Sequence, residues 1–187
     1  MQEKENVIDI LERTKGAVKE GDILLLKDLS NRTVHTASIY ADPDNIAVAV
    51  AVYSLGKILE REKYKEYGQW NSFIKGYLAC LDKALIALRG DDLESFRQEI
   101  EHINGEISRL SGNFRVNIQQ VFRKAMINKA SRIYEHGISM QKTAKLLGIS
   151  IWELAEYSGQ TGISNVNLSI TLDVKERIKN AMEFLTR

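Results

Sequence analysis

The stretch TAKLLGISIWELAEY, residues 143–157, has the spacing of two short helices joined by a tight turn. Ala144 is small at the point where two such helices would cross closely, and Gly148 follows four residues later, where the chain must reverse. Leu154 stands where an apolar side chain would hold the second helix against the first. This pattern predicts a helix-turn-helix, although a tight helical corner of another kind is also compatible with it.

Positive charge is concentrated just before this stretch. Residues 114–147 carry a net charge of +6, whereas residues 148–174 carry −3 and the whole chain carries only +1. When a helix-turn-helix binds DNA, its first helix crosses the phosphate backbone, and basic side chains there neutralise phosphates. The expected DNA contacts are Arg123, Lys124, Lys129, Arg132, Ser139, Gln141, Lys142, Thr143 and Lys145. For each basic residue taken singly, a solvated helix face is the alternative.

The second predicted helix is poorly suited to contact bases. Specific DNA-binding proteins usually place Arg, Lys, Asn or Gln against base edges, but this helix begins with Ile151, Trp152 and Glu153. Ser150 and Glu153 have the spacing of a capping box, so Glu153 is expected to be used at the start of the helix. Trp152 and Tyr157 are therefore candidates for contacts with a protein partner.

The segment GISMQKTAKLLGISIWELAEYSGQTGI, residues 137–163, resembles the helix-turn-helix of bacterial and archaeal regulators. More narrowly, it is similar to a family of small antitoxins that are paired with PIN-like ribonuclease toxins. Those chains share an Ala–Leu–Gly–Ile/Leu–Ser core, a Trp–Glu pair and a Gly–Ile turn before a short tail. The resemblance covers residues 137–187 and implies a DNA-binding transcriptional regulator with a toxin protein as its partner.

The rest of the chain is predicted to be largely helical, since it contains a single proline. Asp42 and Pro43 form a strong helix start, with a capping side chain followed by proline at the first helical position. AVAVAV, residues 47–52, follows this start and is predicted to be helical, with a central strand as the alternative. Near the end, residues 164–172 alternate like a lone strand, and residues 173–187 are predicted to close the chain as a helix.

Together these patterns predict an all-α protein in two parts. Residues 1–112 would form a helical bundle for dimerisation or effector sensing, and residues 113–187 a helix-turn-helix module with one short strand and a C-terminal helix. A homodimer is expected, because a single short recognition helix gives little specificity for a DNA sequence. No apolar run is long enough to span a bilayer and no signal peptide is evident, so a cytoplasmic protein without membrane contact is expected.

The sequence offers no pattern typical of a cofactor or metal site. Cys80 is the only cysteine, which excludes an internal disulfide or a cysteine metal cluster, and it is expected to be buried. His102 lies one helical turn from Glu99 and Glu106, a spacing that more often belongs to a solvated face than to a metal site. No glycine-rich phosphate loop is present. We therefore expect neither enzymatic activity nor a cofactor.

Two alternatives to DNA binding are open from the sequence. In the first, the chain is a helical protein-interaction module whose helix-turn-helix holds a partner through Trp152 and Tyr157. In the second, it is a helical-bundle ribonuclease. Arg32 with His35 and Arg132 with His136 are similar to the Arg–His pairs of such enzymes, although their spacing is shorter.

Overall fold

The computed structural model describes residues 1, 3–40 and 42–161 of the chain. These residues form eight α-helices and one short 3₁₀ helix, and no strand occurs among them. In chain order the helices are α1 (Lys4–Glu20), α2 (Ile23–Tyr40), α3 (Pro43–Leu59), the 3₁₀ helix (Glu62–Glu66), α4 (Trp70–Arg89), α5 (Leu93–Ser108), α6 (Gly112–Glu135), α7 (Met140–Leu147) and α8 (Ile151–Gln160). The prediction of an all-α protein is confirmed for this part of the chain. The strand predicted at residues 164–172 and the helix predicted at 173–187 lie outside the described residues.

Helix α3 begins at the predicted start signal. The Asp42 side chain accepts a hydrogen bond from the Asp44 amide at 2.9 Å, and Pro43 occupies the first turn. The AVAVAV run is helical and lies within α3, so the strand alternative is wrong. The cap favours this outcome, because it stabilises the first turn of a helix immediately before the alternating residues.

Small side chains allow α3 to lie at the centre of the helical assembly. Val48, Ala49 and Val52 are fully buried, so neighbouring helices cover α3 on several sides. The carbonyl of Ala49 accepts a hydrogen bond from the hydroxyl of Ser30 on α2 at 2.7 Å. The carbonyl of Ala51 accepts one from the hydroxyl of Tyr77 on α4 at 2.8 Å. Short residues on α3 therefore let polar groups of two other helices reach its backbone.

The larger apolar core contains an aromatic cluster around Phe114, at the start of α6. Its ring stacks on Tyr67 with the centroids 4.6 Å apart and meets Phe73 edge-on at 5.8 Å. Helices α1 to α6 all contribute to this core. Cys80 belongs to it and is 6% exposed, which confirms the predicted buried thiol. Burial raises the pKa of the Cys80 thiol.

A second, smaller apolar core joins α7 and α8 to the rest of the described chain. Its buried side chains come from α2, α3, α6, α7, α8 and the turn before α8: Val34, Ile46, Ala49, Ala130, Ile133, Ala144, Leu147, Ile149 and Leu154. Helix α6 contributes its first half to the larger core and its second half to the smaller one. Side chains from both sides of residue 112 thus meet in this second core, and the predicted division at that residue stays a prediction.

No helix in the described part of the chain is long and apolar enough to cross a membrane.

Candidate functional site

Residues 143–157 lie in two short helices, α7 and α8, and the tight turn between them. Helix α7 ends at Leu147, and the φ of the next residue, Gly148, is 63°, in the left-handed region that glycine adopts without strain. Ala144 is 2% exposed, and its carbonyl accepts a hydrogen bond from the Ile149 amide at 3.1 Å. Leu154 on α8 is fully buried. The three positions that the spacing singled out therefore have the predicted local geometry.

The predicted capping box at the start of α8 is present. The Ser150 hydroxyl accepts a hydrogen bond from the Glu153 amide at 3.1 Å, and the Glu153 carboxylate accepts one from the Ser150 amide at 2.9 Å. The side chain of Ser139 serves in the same way at the start of α7, where it accepts from the Lys142 amide at 3.3 Å. These caps satisfy N–H groups that would otherwise have no partner within the helix.

Arg123 on α6 is bound to the start of α8. Its Nε and Nη2 donate to the two carboxylate oxygens of Glu153 at 2.8 and 2.5 Å, and its Nη1 donates to the Gly148 carbonyl at 3.3 Å. Hydrogen bonds from Arg123 and, to a smaller extent, from Ser150 lower the pKa of Glu153 to about 2. Arg123, expected to contact DNA, thus joins α6 to the turn and to α8, and the adjacent carboxylate neutralises its charge.

Lys129 was also expected to contact DNA, but it is completely buried. Its ammonium group lies 3.0 Å from Oδ1 of Asn31 and 4.1 Å from the ring centroid of Tyr53. Burial lowers the pKa of Lys129 to about 7, and the nearby charges of Arg132 and Lys27 lower it further. A DNA phosphate cannot reach this amine in the fold described, because α2 and α3 cover it.

The other expected DNA contacts divide between the surface and the interior. Those at the surface are Lys124, Arg132, Ser139, Gln141, Lys142 and Lys145. Thr143 is fully buried, and its hydroxyl lies 3.4 Å from the carbonyl oxygen of Ile138, to which it donates. Arg132 is exposed but donates to Glu135, one turn along the same helix, at 2.9 Å. Lys142 and Lys145 are separated by three residues on α7, so they lie on one side of that helix.

Helix α8 exposes apolar side chains at its first turn. Trp152 is 83% exposed and Ile151 is 43% exposed. Tyr157, named with Trp152 as a candidate for partner contacts, is instead half-buried, and its hydroxyl accepts a hydrogen bond from the Asn128 amide group at 3.0 Å. That bond holds α8 against α6. Of the two aromatic candidates, Trp152 is therefore the one that presents its ring to solvent.

The structure brings together two histidines that the sequence placed in separate pairs. His35 on α2 and His136 at the end of α6 have ring centroids 5.4 Å apart, with the rings meeting edge-on. Arg32 donates to Asn6 at 3.3 Å and to Asp9 at 3.4 Å, and thus contacts α1. No sequence signal predicts this meeting, because the two helices are far apart in the chain. The ribonuclease alternative stays a prediction, and loss of RNA cleavage on His35→Ala would test it.

Among the described residues, no three His, Cys, Asp or Glu side chains lie together as metal ligands would. A scan of the chain against protein-family models, and searches of curated proteins and of solved structures, found no match. The resemblance to small antitoxins therefore stays a prediction. The surface that α6, α7 and α8 form is the candidate functional site.

Proposed function

We propose that the chain is a DNA-binding transcriptional regulator that uses α7 and α8 as a helix-turn-helix. The observation that supports this proposal is the order of a buried Ala144 on α7, a left-handed Gly148 after that helix and a fully buried Leu154 on α8. A helix-turn-helix needs a small residue, a reversal and an apolar contact in that order. The exposed first turn of α8 would then enter the major groove, while α7 crosses the phosphate backbone.

The proposed phosphate contacts are fewer than the sequence suggested. Lys142 and Lys145 are exposed on one side of α7, and neither forms an ion pair with a carboxylate of the described residues. Gln141 and Ser139 flank them at the start of the same helix. Lys124 is also exposed, on α6, and is a further candidate for a phosphate contact. Backbone contacts of this kind position a protein on DNA and supply affinity that depends on salt but little on sequence.

Base recognition through α8 would rely on apolar and acidic side chains. Ile151 and Trp152 can contact the methyl groups of thymines, and Glu156 can accept a hydrogen bond from a cytosine amine. Glu153 is not available for bases, because Arg123 and the capping box occupy its carboxylate. We therefore expect most of the affinity for DNA to come from phosphate contacts, and only a modest preference for particular base sequences to come from α8.

Fluorescence anisotropy with the promoter of the protein's own gene and with random DNA tests the proposal. The salt series should run from about 50 to 200 mM, the range over which phosphate contacts lose most of their affinity. Wild-type protein should prefer the promoter, and joint substitution of Lys142→Glu and Lys145→Glu should abolish binding. Lys75→Glu, on an exposed position of α4, is the matched control and should bind normally. Absence of binding by wild-type protein at low salt would refute DNA binding.

The single substitutions refine this test. Each of Lys142→Gln and Lys145→Gln removes one charge, so each should make the plot of log affinity against log salt shallower by about 1. An unchanged slope for both would show that α7 does not lie on phosphates. A regulator of this kind would act as a homodimer, and light scattering on the purified full chain measures that state directly.

A protein partner held through α8 is the second candidate function. The observation that favours it is the exposure of Trp152 beside Ile151, since a tryptophan with 83% of its surface in water is a typical anchor for an interface. The antitoxin resemblance specifies the partner as a PIN-like ribonuclease toxin. If the protein works in this way, Trp152 does not contact bases, and Trp152→Ala should break a complex with such a toxin while leaving the affinity for random DNA unchanged. Retention of the complex in this variant would exclude Trp152 as the anchor.

A further inference from the structure

A cavity of about 250 Å³ lies between the N-terminal helices and α7. Four helices, α3, α5, α6 and α7, line it with apolar side chains: Ala47, Val50, Ile100, Phe122, Met126 and Leu146. All six are only partly buried, so the cavity leaves apolar surface in contact with water. A molecule that filled it would remove that surface from water, which is the main source of affinity in sites of this type.

The chemistry of the lining selects an uncharged molecule. None of the described residues that line the cavity is charged, and Asn104 is its one polar side chain. Asp44 is adjacent to Pro43 in the lining, but Arg97 binds both of its carboxylate oxygens, at 2.8 and 2.9 Å. A charged ligand would lose its hydration without gaining a counter-ion. Asn104 is exposed and suits a single polar group at the mouth of the cavity.

The volume bounds the size of the molecule. An apolar cavity of roughly 150 Å³ accommodates one benzene ring. The space here, about 250 Å³, therefore suits a fused two-ring aromatic or a branched aliphatic chain of similar size. A larger ligand would have to protrude into solvent past Asn104.

We propose that this cavity is a binding site for a small uncharged molecule that has an apolar body and at most one hydroxyl or carbonyl group. Leu146 and Leu147 of the lining belong to α7, so an occupant would contact the helix that carries Lys142 and Lys145. Occupancy would stabilise one position of α7 against α3 and α5. Any change in DNA affinity on occupancy would depend on the proposed function, whereas the binding site itself does not.

Methyl NMR on the full chain, with 2-naphthol as the probe, tests the site. 2-Naphthol is an uncharged fused two-ring alcohol and matches the proposed class. The methyl signals of Ile100, Met126 and Leu146 should shift and saturate as the probe is added. Those of Leu24 and Ile86, which are 80% and 67% exposed elsewhere on the surface, should stay unchanged and report non-specific adsorption.

Two variants fill the cavity, and one matched variant does not. Ala47→Leu and Val50→Phe extend side chains of α3 into the space, so the saturable shifts should be lost in both. Ala79→Leu adds the same bulk as Ala47→Leu at an exposed position of α4 and should bind like wild type. Circular dichroism shows which variants are folded, since added bulk can destabilise a packed site.

Unchanged methyl signals in wild-type protein would overturn the proposal, whether the cavity is closed or already filled by another part of the chain. Shifts that persist in both folded filled variants would also overturn it. If neither filled variant folds, shifts confined to the cavity methyls still support the site, and shifts spread over Leu24 and Ile86 refute it. A chain that shows the cavity shifts but binds no DNA would refute the proposed function and leave this site supported.

Discussion

Lys129 should make the stability of the protein increase with pH. The folded protein buries its amine, and the pKa falls from 10.5 to about 7, whereas the unfolded chain exposes the same amine to water at its ordinary pKa. Between these two values the unfolded chain binds more protons than the folded protein. The free energy of unfolding must therefore rise with pH across this window, and below about pH 7 the folded protein carries the full cost of a buried charge.

The size of the effect follows from the two pKa values. With pKa values of about 7 in the folded protein and 10.5 in the unfolded chain, raising the pH from about 6.5 to about 9 should increase the free energy of unfolding by about 2.5 kcal/mol. The bond to Asn31 and the contact with the Tyr53 ring do not change the sign, because neither partner carries a negative charge.

Lys129→Met should remove this dependence, since methionine fills a similar volume and carries no proton in this range. Urea unfolding followed by circular dichroism at pH values of about 6.5, 7.5 and 9 measures the free energy of unfolding. Lys124→Met is the matched control, because Lys124 lies on the same helix but is exposed. Ionisable groups elsewhere in the protein are common to all three proteins, so their contributions cancel in the comparison.

The same dependence on pH in Lys129→Met as in wild type would refute the role of the buried amine. Loss of that dependence to the same extent in Lys124→Met would also refute it, because the side chain of Lys124 is exposed. A direct titration of the Lys129 side chain by NMR should give a pKa near 7, and an ordinary value of about 10.4 would contradict the burial of the charge.

Three further predictions concern the turn and α8. Gly148→Ala should lower Tm, because an L side chain at a φ of 63° costs about 1 kcal/mol or more. Glu153→Ala should also lower Tm, since it removes the capping box and the partner of Arg123. Because the pKa of Glu153 is depressed to about 2, its contribution is complete above about pH 4.5 and is lost as the pH falls towards about 2, so the difference in Tm should shrink over that range. Trp152→Ala should leave Tm unchanged, since its ring is 83% exposed. Scanning calorimetry measures all three.

Matched variants give these predictions their controls. Gly159→Ala, within α8, should not lower Tm, because its backbone is helical and a Cβ there meets no other atom within 4 Å. Glu156→Ala removes an exposed acidic residue of α8 that accepts a hydrogen bond from Gln160, and it should have little effect. Equal losses of Tm in Gly148→Ala and Gly159→Ala would contradict the strain argument. A large loss of Tm in Trp152→Ala would show that its ring is packed.

The helix starts and the turn could be predicted because the groups that form them are close in the sequence. Asp42 and Asp44 are two residues apart, and Ser150 and Glu153 are three apart. Each cap can therefore be predicted from the types of residue at a fixed short spacing. Gly148 is predictable for the same reason, since its left-handed conformation is a property of a single residue. The helical state of AVAVAV could be predicted from the cap that precedes it.

The roles of the charged residues were decided by contacts between distant segments. Lys129 and Asn31 are 98 residues apart, and Arg123 and Glu153 are 30 apart. Helical spacing shows which side of α6 each side chain leaves from, but it does not show that α2 and α3 cover one side while α8 meets another. For that reason a lysine expected at a DNA phosphate is buried, and an arginine expected there binds a carboxylate.

The sequence alone therefore determined the all-α character of the described chain, the caps of α3 and α8 and the reversal at Gly148, because each depends on neighbours within one or two helical turns. Only the tertiary structure decided which charges remain at the surface, that His35 meets His136, and that a cavity opens beside α7. Those features arise where helices from distant parts of the chain pack together, and the packing depends on the shapes of all the side chains between them.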